Sequence, residues 1–129
     1  MDKKIDDLLL EKIGKYGLGI GDAAIKKIAL KLKKDYCTEK VESNNDSIIA
    51  FRDELEKTGK ILEENLKENY YLVSVGGGLL NLNPAICIVK LDEGMVHIIG
   101  YAKEGLIKQN TAKNAVNKIA KLLNNMDEQ

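Results

Sequence analysis

AICIVKLDEGMVHIIGYA, residues 85–102, holds the reading on which the fold turns. Its two apolar halves are rich in β-branched residues and too short for helices, and Gly94 sits in the polar stretch between them, which predicts an antiparallel hairpin. A third run of the same kind, YYLVSV (70–75), precedes it. A three-residue loop, Asp92 to Gly94, suits a type I turn closed by a left-handed glycine, whereas a two-residue Glu93-Gly94 turn would force Glu93 to positive φ. With the three-residue loop Leu91 faces Met95, Val89 faces His97, Cys87 faces Ile99 and Ala85 faces Tyr101 on one side. Lys90 with Val96 and Ile88 with Ile98 share the other. Both faces are then largely apolar, so each needs a covering layer.

The cover is expected from helices at the two ends of the chain. Residues 2–15 place Ile5, Leu8, Leu9 and Ile13 at helical spacing, and a second run, DAAIKKIALKLKKD (22–35), follows a glycine-rich connection with Asp22 as its cap. Asp46 or Ser47 is placed to cap a third helix, with Ile48, Phe51, Leu55, Leu62 and Leu66 along one stripe and Gly59 as a point of bending or breaking. The clearest helix is the last, KQNTAKNAVNKIAKLL (108–123), with Ala112, Ala115, Val116, Ile119 and Leu123 on one face and Asn110 or Thr111 as its cap. The expected architecture is α+β: N-terminal helices, a three-stranded antiparallel meander, and a C-terminal helix packed on the sheet. One domain spans residues 1–129, with no repeat or linker.

Composition narrows the class. A chain of 129 residues can bury about two thirds of its unfolded surface, and with one Phe, five Tyr and no Trp its core must be aliphatic. Twenty basic residues balance twenty acidic ones, so no global field draws in nucleic acid. No apolar run is long enough to span a membrane, and Cys37 and Cys87 stand alone, outside any CxxC spacing. A cytoplasmic protein with two free thiols is expected.

The motifs are weighed against simpler structural roles. Gly76, Gly77 and Gly78 follow a strand but lead to another strand, without the GK[ST] that a phosphate loop needs, so they read as a bend. The leucines behind them, Leu79, Leu80 and Leu82, form a candidate interaction loop over 76–84. In the expected register Cys87 and His97 fall diagonally on one face, as a thiol and base would, yet that face is covered and no orienting carboxylate accompanies them. One His and two scattered Cys do not make a zinc site. Lys27, Lys31 and Lys34 offer a candidate basic surface for an acidic protein, RNA or lipid headgroups, but solvated outer faces are the favoured reading, and RNA and membrane are not the expected partners. An acidic third helix argues against reading DNA.

No catalytic signature and no cofactor fingerprint emerges. The expected role is therefore that of a small cytoplasmic protein-binding or regulatory domain, not an enzyme, acting through protein contacts at the sheet edge and the 76–84 loop, with a homodimer as one form. The alternative is a small-molecule or lipid pocket between sheet and helices, lined by Val73, Val75, Ile99 and Tyr101.

Overall fold

The computed structural model describes residues 2–15, 38–45, 47–76, 85–102 and 111–127. Along the chain run helix α1 (Asp2–Lys15), strand β1 (Thr38–Glu42), a 3-10 turn (Ile48–Phe51) leading into helix α2 (Arg52–Thr58), strands β2 (Lys60–Asn65), β3 (Tyr70–Val75), β4 (Ala85–Asp92) and β5 (Met95–Tyr101), and helix α3 (Thr111–Asp127). The architecture is α+β, with one antiparallel sheet in the order β1-β5-β4-β3-β2 and α3 packed on it. Five strands replace the expected three. The expected second helix, residues 22–35, lies outside the described residues.

Both additional strands were hidden by their composition. TEKVE (38–42) contains a single apolar residue, Val41, the only one of the five that is buried. KILEEN (60–65) is made largely of helix formers, and Leu62 and Leu66 extend the helical spacing begun by Leu55. The helix nevertheless stops at Gly59, whose N–H donates to the Leu55 carbonyl at 3.1 Å and whose Cα backs so closely onto Ser74 that no side chain would fit. The backbone then turns extended and pairs with β3, with an irregularity between Ile61 and Glu63 that lets Leu62 reach the α1 side. Ser47 caps the 3-10 turn as expected, its Oγ accepting from Ile49 N–H at 3.3 Å.

The β4–β5 register differs by one residue from the expected one. Asp92 pairs with Met95 and Leu91 with Val96, leaving a two-residue Glu93-Gly94 turn with φ of 51° and 79°. These are the two left-handed residues of a type I′ turn, whose twist matches that of the flanking strands. Left-handed φ at Glu93 costs roughly 1–2 kcal/mol. The gain is larger, because a one-residue slip flips every β5 side chain. The observed register buries Val96 and Ile98 under α3 and Ile99 toward α1, and each such side chain is worth roughly 1.5–3 kcal/mol when buried.

The same register delivers Gly100 to the underside of α3. A Cβ there would lie 2.8 Å from Val116 Cγ2 and 3.1 Å from Cys87 Sγ, so the helix sits where only a glycine permits it. On the α3 side of the sheet are Val41, Tyr71, Val73, Val75, Cys87, Val89 and Leu91, closed over by Ala112, Ala115, Val116, Ile119 and Leu123. On the other side Ile5, Leu9 and Ile13 of α1 cover Tyr70, Leu72, Ile86, Ile88 and Ile99. Each face of the hairpin thus has the helical cover its composition demands.

Two substitutions test this account. Glu93→Asn, which tolerates left-handed φ far better, is expected to stabilise by about 0.5–1 kcal/mol and raise the thermal midpoint by roughly 2–5 °C. Gly100→Ala is expected to lose about 1–3 kcal/mol, since either α3 or the Val116 side chain must move. Chemical denaturation of both variants measures the two signs.

Candidate interaction surfaces

Because helices close both faces of the sheet, its margins are the parts of the sheet that no further strand or helix flanks on both sides among the described residues. The end strands are β1 and β2. At the β2 margin, Arg52 Nη1 lies 3.5 Å from Glu64 Oε2, which places the start of α2 beside the end of β2. Ile49, just before α2, and Leu66, just after β2, therefore lie toward the same end of this α2–β2 unit. They are the two large apolar side chains that stand out in solvent among the described residues, at 59% and 47% exposure. Ile49 escaped the sequence reading because its neighbour Ile48 carries the buried stripe, and Leu66 was expected on that stripe.

On β2, Glu63 is tied toward α1. Lys12, buried on α1, reaches Glu63 Oε1 at 2.8 Å, and Lys15 reaches Oε2 at 3.1 Å. Lys12 Nζ also stands 5.7 Å from the centre of the Tyr70 ring. Burial opposes the ammonium charge, but the hydrogen bonds to Glu63 and Tyr70 outweigh it and lift the Lys12 pKa above its ordinary value. On the opposite face Tyr71 is wholly enclosed, and burial first, then the cross-strand carboxylate of Glu64, push its phenol up to about 12. Burial also raises Tyr101.

Of the candidate loop only Gly76 falls among the described residues, exposed at the far end of β3 from Leu66. Gly77, Gly78, Leu79, Leu80 and Leu82 lie outside them, as do Lys27, Lys31 and Lys34. Cys87 and His97 point to opposite sides of the sheet, since Cys87 pairs with Gly100 under α3 while His97 pairs with Lys90 on the α1 side. The diagonal pairing expected from a three-residue turn is thereby removed. The four residues of the expected pocket divide in the same way: Val73 and Val75 lie beneath α3, Ile99 and Tyr101 beside α1. They cannot line one cavity. Lys113, Lys118 and Lys121 lie on the outer, exposed face of α3, which is the solvated arrangement.

Among the described residues no helix is long and apolar enough to cross a membrane, and no group of three or more His, Cys, Asp or Glu side chains is placed to hold a metal ion. Comparison of the chain with protein-family models, with curated proteins and with solved structures returns no match. The functional reading rests on geometry alone.

The raised pKa values carry a sign. A group whose pKa is higher in the fold stabilises fully below its ordinary value, near 10 for tyrosine and 10.5 for lysine, and that contribution is lost as pH climbs through the raised value. Stability should therefore fall between pH 10 and about 12. In Tyr71→Phe the fall over that window should be shallower, and an ultraviolet titration should lose the phenol that ionises near 12. An identical alkaline limb in the variant would contradict the assignment.

Proposed function

We propose that this chain is a cytoplasmic, non-catalytic protein-binding or regulatory domain that acts through contacts at the margins of its sheet. The observation that carries the reading is that two large apolar side chains, Ile49 just before α2 and Leu66 just after β2, stand in solvent. Elsewhere among the described residues large apolar groups are drawn inward, even on strands with two apolar faces, so two that remain in solvent on one margin suit a partner better than they suit folding. Further support comes from the layering: with α1 and α3 on the two faces, a macromolecular partner meets the edges and ends of the sheet. The stretch that begins at Gly76 and contains Leu79, Leu80 and Leu82 is the second contact in this reading. A reducing cytoplasm suits Cys87, a cysteine sealed in the core.

The test compares the native chain with an Ile49→Asp/Leu66→Asp double variant as bait in extract of the source cells, with mass spectrometry of what is retained. Both positions are exposed, so the melting temperature should hold. Recovery of a partner should drop at least roughly tenfold, the scale of losing an apolar anchor. Equal recovery by both baits, or no specific partner with either, would overturn this assignment of the margin.

A further inference from the structure

The outer face of α3 has a composition that folding does not ask for. Each of its exposed residues is a lysine or an asparagine: Lys113, Lys118 and Lys121 are interleaved with Asn114, Asn117, Asn124 and Asn125. No acidic residue precedes Asp127 on the helix. The exposed side chains described on α1 and α2 instead mix both signs, with Asp7, Glu11 and Lys15 on one and Arg52, Asp53, Glu56 and Lys57 on the other. Asparagine is among the poorer helix formers, and exposed positions are where propensity is least overridden by packing. The charges also oppose the helix dipole, which favours acids in the first turn and bases in the last; α3 has neither, and Lys113 sits near its start. None of the three lysines pairs with a carboxylate among the described residues, whereas Lys12, Lys15, Arg52 and Lys57 do. Each of these features would be relieved by negative charge laid along the helix.

We propose that the outer face of α3 is a docking surface for an acidic protein segment that lies along the helix. The site is separate from the sheet margins and goes beyond them. Lys113, Lys118 and Lys121 are spaced roughly 7.5 Å and 4.5 Å along the axis, at a rise of 1.5 Å per residue. Carboxylates four residues apart on a helical partner, roughly 6 Å along its own axis, meet them in turn. Between the lysines, the asparagine amides donate to the same carboxylates through N–H and accept through their carbonyls from polar groups of the partner.

The surroundings of α3 select this partner. Helix α2 packs beside it and exposes Asp53 and Glu56, so a polyphosphate broad enough to cross both helices meets carboxylates. A bilayer surface needs apolar side chains to enter it, and those of α3, Ala112, Val116, Ile119 and Leu123 among them, are buried against the sheet. A single acidic segment confined to the length of α3 avoids both obstacles.

The probe is a labelled alanine-based helical peptide carrying glutamate at every fourth position, with its glutamine counterpart as control, read by fluorescence anisotropy at low ionic strength. The native chain should bind the glutamate peptide at least roughly tenfold more tightly than the glutamine one, and added salt should weaken that binding. A Lys113→Gln/Lys118→Gln/Lys121→Gln variant should lose the preference with its melting temperature held, since all three positions are exposed. Asn114→Ala/Asn117→Ala should bind at least roughly threefold more weakly while melting higher, a split that damage to the fold does not produce. Ile49→Asp/Leu66→Asp should bind the peptide as the native chain does. The α3 site is overturned by a native chain without preference for glutamate, by a lysine or asparagine variant that binds as the native chain does, or by loss of binding in the Ile49/Leu66 variant. Tighter binding of polyuridylate RNA or of phosphatidylserine vesicles than of the peptide also overturns it. Failure of the α3 site leaves the reading of the sheet margins standing, because that reading is decided by the capture experiment on Ile49 and Leu66.

Discussion

The structure depends on two strands that have no wet side. In β4 every residue from Ala85 to Val89 is buried, and in β5 Val96 to Gly100 are, so the hairpin cannot lie on the surface of anything. Strands of this kind are stable only at the centre of a sheet and between two layers. The order β1-β5-β4-β3-β2 meets the first condition by placing a more polar strand at each end, and α1 and α3 meet the second. Most other features answer to this constraint. Gly100 is bare because α3 must come down on the hairpin, and Glu93 accepts left-handed φ because only the tight turn sends Val96 and Ile98 to the face that α3 covers.

An apolar helix on an apolar sheet is held in place by area, and area alone does not fix its direction. On the α1 face that task falls to Lys12. Its stem lies in the apolar layer while its ammonium meets Glu63 on the end strand and the face of Tyr70 on the next. Sliding α1 by one turn would strand a buried charge, a penalty larger than the loss of an ordinary apolar contact. Among the described residues the opposite layer shows no such pin in its middle, and there shape replaces charge: the small side chains of Ala112, Ala115 and Ala120 let α3 approach, and Gly100 marks where it comes closest.

What could be read from the residues follows from this division of labour. The central strands, the terminal helices and their buried stripes were legible because periodicity and burial agree in them, and Ile5, Leu9, Ile13, Val116, Ile119 and Leu123 point where their spacing says. The end strands were not, because an edge strand with one apolar neighbour needs little apolar content of its own. Thr38 to Glu42 becomes a strand because β5 offers it a ladder, and Lys60 to Asn65 because Gly59 stops the helix beside β3. The hairpin register is hidden from local sequence for a related reason. Local preference at Glu93 favours the longer loop, and only the burial of residues far along β5 outweighs it. Of the candidate contact residues, Gly76 alone is placed by the described fold, while Ile49 and Leu66 become visible as a pair only once Arg52 and Glu64 are seen to bring their elements together.

The two margins differ in what the core asks of them. At β2 the core ends in polar bonds, with Glu63 tied to α1, Glu64 to Arg52, and an irregular register that spoils the strand as a template. At β1 it ends in one side chain. Val41 must lie under α3, since α3 contacts β1 as well as β4 and β5, and this single requirement fixes the parity of the whole strand. Lys40 and Glu42 are thereby sent to one face and their backbone groups away from β5, with no freedom to exchange roles with Glu39. The chemistry presented by that edge is thus a consequence of the same burial that sets the hairpin turn. A change at Val41 that loosened its grip on α3 would disturb the order of charges along the margin before it disturbed the centre of the fold.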